Sequence, residues 1–475
     1  MRQSGWLELL RGDNAARSAV IGGGMIIHAI STFIVVTILP TVVHEIGGLR
    51  FFAWSTTLYV AASVLGGALC VRLLARVGAR GSYRAALSCF ALGTLLCALA
   101  PSMPVLLLGR LIQGVGAGTL SALSFSMVRT LFHPSLWSRA LSVSSAAWGI
   151  ATLAGPAIGG VFAQYDAWRA AFWSVFALAP LLLLLVERSL PADLVPPAPP
   201  RTPLALLNIC ILVGSALAIS IGGSATEATA NAAWLAVALT GLGAFVWLES
   251  HGHRLLPHGA CNPATPLGAA YATMLLLIIS VTTEIFVPYF LQMLHGMTPL
   301  HAGYLSALMS AGWTTGAVGG SSRGEAGART LLTAGPLLGA GAIAGMRLLV
   351  PQPGILADEP QLWAIGACLF AQGLGIGLAW PHLCAKVFAF APDTEKDLAA
   401  TSITMVIMIA NALGTALGGM MTNLAGMTVP GGPAGAALAA ARLFGAYALV
   451  PLLAFLVVRR LLWFRLLTSA DGRAG

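Results

Sequence analysis

Apolar residues run along the chain in long blocks, and charged or proline- and glycine-rich breaks separate the blocks. Many blocks reach the roughly 20 residues that a helix needs to cross a bilayer, and alternating barrel strands are absent from the pattern. It predicts an all-α membrane protein with fourteen spans, at residues 18–43, 52–75, 82–102, 104–129, 139–164, 169–188, 203–223, 231–250, 266–294, 300–322, 329–350, 361–390, 398–424 and 436–464.

One break is proline-rich, and a second is a short loop with histidine and arginine. Neither can continue a helix, so they divide the spans into groups. The predicted organisation is a six-helix half at 1–190, a cytoplasmic linker at 191–202, two additional helices at 203–250, a cytoplasmic loop at 251–265 and a second six-helix half at 266–475.

Composition agrees with a membrane location. Hydrophobic residues make up 57% of the chain and charged residues 9%, whereas a soluble domain carries about 25% charged residues. Most of the 25 arginines and lysines fall on one side when both termini are cytoplasmic, as the positive-inside rule requires. The net charge of +9 would suggest a nucleic-acid partner only if the membrane location were ignored, so no such partner is expected.

Signatures of enzymatic chemistry are lacking. The seven cysteines follow no disulfide spacing, and His251, His253, His258 and Cys261 fit no tetrahedral metal pattern. The sequence has no glycine-rich phosphate loop, so ATP does not drive this protein directly. We expect neither an enzyme nor a cofactor nor a metal site.

The fourth and fifth spans each carry a motif. Arg110 lies in an otherwise apolar helix, where an arginine costs about 2.5–3.5 kcal/mol, so it should face a polar interior. Gly114 and Gly118 form a small-residue face for close helix contact. The fifth span combines small residues with a proline kink at Gly155, Pro156, Gly159 and Gly160.

An arginine-rich turn separates the second and third spans. It runs from Arg72 to Arg84, contains Arg76 and Arg80, and is centred on Gly78. A weaker echo of it, at residues 320–329, lies between the tenth and eleventh spans. Such an echo indicates duplicated halves.

With these motifs the sequence resembles the major facilitator superfamily, in particular the fourteen-span branch of its drug:proton antiporters. Arg110, Gln113, Gly114 and Gly116 match the family's fourth-span motif, and the fifth-span residues match its antiporter motif. The resemblance implies the major facilitator fold in a bacterial inner (plasma) membrane, a monomer, and alternating access between two six-helix halves. Arg76, Gly78 and Arg80, with the fifth-span residues, would then govern conformational change.

Two positions depart from the family pattern. Ala75 stands where the family's turn carries an aspartate, and Ser31 stands where the first span of this branch carries an acidic residue. The usual proton-carrying carboxylate of the first span is therefore missing.

Glu284 is the acidic residue that lies well inside a predicted span, about 15 Å deep at the rise of a helix. An intramembrane carboxylate is a functional candidate, here for proton coupling, and the alternative is a role in helix packing. His28 and His382 are further candidates for proton coupling, with neutral, hydrogen-bonded packing as the alternative.

The remaining candidates line a substrate cavity for a planar amphipathic molecule. They are Arg110, Gln113, Ser31, Phe33, Trp148, Tyr289, Trp313 and Trp380. The alternative for the aromatic residues is a place at the lipid interface, which membrane helices favour.

The leading functional hypothesis is proton-driven export of small amphipathic molecules, with multidrug efflux as its broadest form. A dedicated exporter of a metabolite such as a siderophore, a proton symporter that imports an anionic solute, and a non-transporting receptor or scaffold are the alternatives. The partners expected under the leading hypothesis are a small-molecule substrate, protons and the lipid bilayer.

Overall fold

The computed structural model describes residues 9, 11–133, 136–191, 206–225, 227–251, 254–321, 323, 325–352 and 359–471. Their regular secondary structure is helical, with no strand among them. The helices are α1 (Gly12–Ile46), α2 (Phe52–Ala98), α3 (Met103–Ser126), α4 (Trp137–Gln164), α5 (Trp168–Ser189), α6 (Leu206–Ser224), α7 (Ala228–His251), α8 (Pro266–Val281), α9 (Val287–His295), α10 (Pro299–Gly320), α11 (Glu325–Leu349), α12 (Glu359–Phe390), α13 (Lys396–Thr422), α14 (Gly432–Tyr447) and α15 (Leu449–Asp471).

Twelve helical segments of the described chain are long and apolar enough to cross a membrane. The all-α membrane fold is therefore confirmed, whereas the predicted number of fourteen spans is not supported by this count. The difference arises at two places. Predicted spans two and three lie in one 50-residue segment, Leu49–Ala98, and α10 is not among the twelve, since glycine, serine and threonine dilute its apolar residues.

α2 is interrupted at Gly78, within the arginine-rich turn. The backbone of Gly78 has φ 67° and ψ −177°, which is not helical. A side chain is strained at such a positive φ, so glycine is the residue that suits this position. Gly78 thus divides α2 into a first half and a second half.

The chain forms two compact units. The N-terminal unit comprises Met1–Gly48, Leu58–Leu206 and Thr298–Gly303, and the C-terminal unit comprises Leu49–Thr57, Leu207–Met297 and Tyr304–Gly475. The predicted domain boundaries stay predictions. Residues 192–202 of the predicted linker and residues 252–253 of the predicted loop lie outside the described residues.

The loop that follows α7 is fixed by a buried carboxylate. Glu249 accepts hydrogen bonds from the backbone amides of Leu255 and Leu256, at 3.0 Å each, and from the side-chain amide of Asn208. Three donors compensate for the burial of this polar side chain. Burial and the nearby Glu249 raise the pKa of the Cys261 thiol in the same loop to about 11.

Candidate functional site

Arg110 is fully buried in the N-terminal unit. Its guanidinium carbon lies 3.9 Å from the centroid of the Tyr59 ring. Its Nη1 donates to Oε1 of Gln113 and, at 3.4 Å, to the backbone carbonyl of Ser31. A desolvated cation over an aromatic face gains about 2 kcal/mol, so the ring and these acceptors compensate for the burial of the charge.

Glycines bring the backbones close enough for this arrangement. A Cβ at Gly114 would lie 2.4 Å from the carbonyl oxygen of Tyr59, and a Cβ at Gly118 would lie 2.0 Å from that of Ser63. Both glycines therefore occupy the contact between α3 and the first half of α2, as expected of a small-residue face. This contact sets the Tyr59 ring against Arg110.

A row of contacting rings extends from Tyr59 to Trp148 and Phe33. The Tyr59 hydroxyl donates to the backbone carbonyl of His28 at 2.9 Å, and the two rings stack with centroids 5.7 Å apart. Trp148 lies edge-on to His28 and to Phe33, at 5.9 Å in each case. Because 38% of Trp148 is exposed while His28 is buried, Trp148 is the accessible member of this row of rings.

Gln113 and Ser31 use their polar groups differently. The Gln113 side chain is buried, accepts from Arg110 and donates from Nε2 to Thr94 Oγ1 at 2.8 Å. The Ser31 hydroxyl donates to Ile27 in its own helix at 2.7 Å. Ser31 thus contacts Arg110 through its backbone carbonyl and not through its side chain.

The fifth-span motif packs against α1 and the start of α10. A Cβ at Gly155 would lie 2.4 Å from Cβ of Phe33, and one at Gly160 would lie 2.6 Å from Cα of Leu300. Pro156 lies against Gly303 on the same face. The motif therefore forms a tight helix contact.

The arginine turn is tied to the end of α5. Arg84 binds Glu187 with two hydrogen bonds, and Nη1 of Arg80 lies 3.7 Å from the same carboxylate. Nε of Arg80 also donates to the carbonyl of Leu190 at 3.1 Å. Sequence reasoning missed Glu187, although a carboxylate predicted on the same side as four arginines was an available signal.

Glu284 lies in a helix break of the C-terminal unit. A 3₁₀ segment, Thr282–Phe286, separates α8 from α9, and Pro288 stands in the first turn of α9. The Glu284 side chain is half-buried, and within the described part of the chain its carboxylate makes no hydrogen bond or ion pair.

Gln372 of α12 supports this break. Its Nε2 donates to the carbonyl of Ser280 and to Oγ1 of Thr283, at 3.0 Å each. On another side, α13 is so close that a Cβ at Gly414 would lie 2.6 Å from Oγ1 of Thr282. The segment around Glu284 is therefore held on two sides, while the Glu284 carboxylate has no bonding partner among the residues that the structure describes.

The other candidates of the C-terminal unit form separate contacts. Tyr289 packs on Phe52 with ring centroids 5.3 Å apart, and its buried hydroxyl has no hydrogen-bond partner among the described residues. The rings of Trp313 and Trp380 lie 5.6 Å apart. His382 is buried, and its Nε2 lies 3.1 Å from the backbone carbonyl oxygen of Gly320. This contact suits the packing alternative for His382.

The structure thus brings together one group in the N-terminal unit and leaves the C-terminal candidates in smaller groups. The first group consists of His28, Ser31, Phe33, Arg110, Gln113 and Trp148. Sequence reasoning missed Tyr59 and Thr94, which connect it, and Gln372, which supports the break at Glu284.

A repeated pattern was the available signal for Gln372. The fourth span reads Gln113-Gly-Val-Gly-Ala-Gly118, and α12 reads Gln372-Gly-Leu-Gly-Ile-Gly377. Glycines of the second copy also sit at close contacts, since a Cβ at Gly377 would lie 2.2 Å from the carbonyl oxygen of Trp313. Leu369 stands at the position that Arg110 has in the first copy.

Comparisons with known proteins give a family and relatives. The sequence profile described as "Major Facilitator Superfamily" matches residues 21–358. A protein of Mycobacterium tuberculosis (strain ATCC 25618 / H37Rv) that is named a probable multidrug-efflux transporter is 36% identical over 434 residues, covering 88% of this chain and 90% of its own. The tetracenomycin C resistance and export protein of Streptomyces glaucescens is 25% identical, covering 89% and 78%.

Solved structures share the fold at low identity. A D-xylose–proton symporter aligns with a TM-score of 0.63 at 14% identity, covering 94% of this chain and 97% of its own. A POT family transporter in complex with 5-aminolevulinic acid aligns with a TM-score of 0.68 at 12% identity, covering 97% and 98%. At these identities the likeness establishes the fold alone.

Proposed function

Since the chain belongs to the major facilitator superfamily, whose members are transporters and not enzymes, we propose that it is a proton-coupled antiporter that exports small amphipathic molecules. The names of its relatives, which include multidrug efflux and export of tetracenomycin C, support export and a broad substrate range. Its partners are then a small-molecule substrate, protons and the bilayer.

The observation that carries the proposal is the carboxylate of Glu284, which lies in a broken helix and is unbonded within the described residues. Transporters place coupling ions and substrates at interrupted membrane helices, where the helical hydrogen-bonding pattern is relaxed. A carboxylate without a fixed partner can take up a proton without first breaking an ion pair. In the proposed cycle an external proton binds Glu284 and favours substrate release, and loss of that proton to the cytoplasm resets the carrier.

The group around Arg110 is the proposed substrate-facing part of the N-terminal unit. Trp148 offers an accessible aromatic face, with Phe33 and His28 behind it. Arg110, Gln113 and Ser31 form a connected polar cluster beneath that face. In the C-terminal unit we assign the same role to Tyr289, Trp313 and Trp380, whose rings suit planar amphipathic substrates.

His28 is the second candidate for proton coupling. Its Nδ1 lies 3.3 Å from the hydroxyl of Tyr59, and the ring of Tyr59 contacts Arg110. A proton on His28 would repel the Arg110 guanidinium, so protonation and the position of Arg110 are coupled electrostatically. His382 remains a weaker candidate, because its Nε2 is already engaged by Gly320.

The fifth-span motif and the arginine-rich turn are the proposed conformational elements. One is the close-packed face formed by Gly155, Pro156, Gly159 and Gly160, and the other is the turn that contains Arg76, Gly78 and Arg80. The bonds of Arg80 and Arg84 to Glu187 support a role of that turn in holding the N-terminal unit rigid as it moves.

We further propose fourteen crossings, in the six–two–six plan, with both termini in the cytoplasm of a bacterium and the protein a monomer in the inner membrane. α2 has 47 residues, so it is about 70 Å long if uninterrupted, far more than the roughly 30 Å hydrocarbon core. The break at Gly78 lets its halves cross separately. α10, with 22 residues, is long enough to be the other additional crossing.

Transport in vesicles tests the function. Purified protein is reconstituted, a proton gradient is imposed, and a panel of fluorescent amphipathic compounds is followed with wild type, Glu284→Gln and Glu227→Gln. Glu227 is an exposed carboxylate of the same unit, so its variant is the matched control. We expect gradient-driven export with wild type and Glu227→Gln, and only passive leakage with Glu284→Gln.

Gradient-driven movement that survives in Glu284→Gln would remove this residue from proton coupling and direct attention to His28. Flux in the same direction as the protons would identify a symporter. If no compound of the panel moves, export of a dedicated metabolite replaces multidrug efflux.

A further inference from the structure

A cavity of 360 Å³ lies within the N-terminal unit, apart from the Arg110 cluster. The two halves of α2 and the middle of α3 form its walls. Its lining residues are Leu69, Arg72, Leu73 and Arg76 from the first half of α2, Ala85, Ala86 and Cys89 from the second half, and Val115, Gly116 and Thr119 from α3.

Close helix contacts limit the cavity on the side of α3. A Cβ at Gly66 would lie 2.1 Å from the carbonyl oxygen of Val115, and one at Gly116 would lie 2.5 Å from the backbone nitrogen of Phe90. Thr119 adds a hydrogen bond to the carbonyl of Gly66 at 3.0 Å. α3 therefore packs tightly on both halves of α2, while the short side chains of Ala85 and Ala86 leave the space between the halves unfilled.

The arginines of the turn divide into two pairs. Arg80 and Arg84 bind Glu187. Arg72 and Arg76 line the cavity, are exposed, and make no hydrogen bond or ion pair within the described part of the chain. Since they are four residues apart in a helix, they lie on one face with their Cβ atoms about 6 Å apart. This spacing lets both guanidinium groups contact one phosphodiester.

Apolar residues lie beside and beyond the two arginines on the same wall of the cavity. Leu73 lies between the two arginines, and Leu69 lies three residues before Arg72, about 4.5 Å farther along the helix axis. Val115 and Cys89 line the opposite side. A cavity lined by two arginines and by apolar side chains matches a molecule that has an anionic head and a hydrocarbon tail.

We propose that this cavity binds an anionic phospholipid, with its phosphate on Arg72 and Arg76 and part of an acyl chain against Leu69, Leu73 and Val115. The membrane supplies such a molecule at high local concentration, and basic pockets between membrane helices retain anionic headgroups. Free inorganic phosphate would satisfy the arginines but would leave the apolar wall without a partner.

Native mass spectrometry of the full-length protein in detergent tests the proposal without measuring transport. The protein is titrated with phosphatidylglycerol and, separately, with phosphatidylcholine of the same acyl chains, with and without inorganic phosphate. We expect one phosphatidylglycerol to bind more tightly than phosphatidylcholine, and inorganic phosphate to leave it in place.

Two kinds of variant localise the site. The double substitution Arg72→Gln with Arg76→Gln should weaken phosphatidylglycerol binding by about tenfold or more, while Arg459→Gln with Arg460→Gln removes the same charge from exposed positions on α15 and should leave binding unchanged. Ala85→Trp keeps both arginines and fills the cavity from an exposed wall position, so it should weaken binding as well.

Equal binding of the two lipids would overturn the proposal. So would displacement of the lipid by inorganic phosphate, unchanged binding in the Arg72/Arg76 variant, or full binding in Ala85→Trp, which would indicate attraction to surface charge without use of the cavity.

Discussion

Gln113 and Gln372 make the same interaction in the two units. Each begins a copy of the pattern Gln-Gly-x-Gly-x-Gly, and each donates from Nε2 to the hydroxyl of a threonine, Thr94 at 2.8 Å and Thr283 at 3.0 Å. They differ in what the amide oxygen does, since that of Gln113 accepts from Arg110. The two units thus share one hydrogen bond, and in one of them the same amide also binds a charged group.

The first prediction compares Gln113→Leu with Gln372→Leu. A hydrogen bond to a charged group contributes about 1.5–3 kcal/mol, whereas an interhelical bond between neutral groups in a membrane averages about 0.6 kcal/mol. Gln113→Leu should therefore lower the melting temperature in detergent clearly more than Gln372→Leu does. Equal shifts would mean that the Gln113 bond does not stabilise Arg110.

The second prediction concerns the ring of Tyr59. Tyr59→Phe keeps the aromatic face beneath Arg110 and loses only the hydroxyl bond to His28, whereas Tyr59→Leu loses the face as well. We expect thermal unfolding to show a loss of up to about 2 kcal/mol more for leucine than for phenylalanine. Similar stability of the two variants would contradict a cation–π role.

The third prediction concerns the repeated glycines. Gly118→Ala and Gly377→Ala each place a methyl group about 2 Å from a backbone oxygen of a neighbouring helix. Both should reduce the yield of folded protein after size-exclusion chromatography.

Gly341→Ala is the matched control, because a Cβ at this position of α11 would have no neighbouring atom within 4 Å among the described residues. Alanine is favoured over glycine in a helix by about 1 kcal/mol, so this variant should be neutral or stabilising. A loss in the control equal to that in the other two variants would mean that helix contact is not the cause.

The fourth prediction concerns the reactivity of Cys261. With a pKa of about 11, about one thiol in a thousand is ionised at pH 8, against about a quarter for a free cysteine. A variant that keeps only Cys261 should react with a maleimide more than a hundredfold more slowly than free cysteine at pH 8. Its rate should rise about tenfold per pH unit up to about pH 11.

An unstructured peptide that contains one cysteine serves as the reference thiol, and its rate should level off at lower pH. If Cys261 reacts at the rate of the reference at pH 8, then neither burial nor Glu249 suppresses its ionisation.

Sequence patterns located most helices closely, because apolar runs and their breaks are local features. The predicted span 139–164 compares with α4 at Trp137–Gln164, and the prediction 329–350 compares with α11 at Glu325–Leu349. The number of spans was harder to predict. A glycine break inside a continuous apolar segment and a span diluted by small polar residues both blur such a count.

The partners of the candidate residues were harder to predict than their positions. The burial of Arg110 followed from its place in an apolar span. Its contact with Tyr59, which lies 51 residues earlier in the sequence, depends on which faces of two helices meet. Glu187 was visible only as a charge on the same side as the turn. Gln372, in contrast, could be found by comparing the two copies of the glycine pattern.

The 3₁₀ segment before α9 also has a mechanical consequence. Five residues in 3₁₀ geometry turn through about 600° and rise about 10 Å, whereas in α geometry they turn through about 500° and rise about 7.5 Å. If Thr282–Phe286 changes from one form to the other, α9 rotates by about 100° and shifts by about 2.5 Å, like a screw, while its internal hydrogen bonds persist. The segment that carries Glu284 is therefore a point at which a small backbone change reorients the whole of Val287–His295.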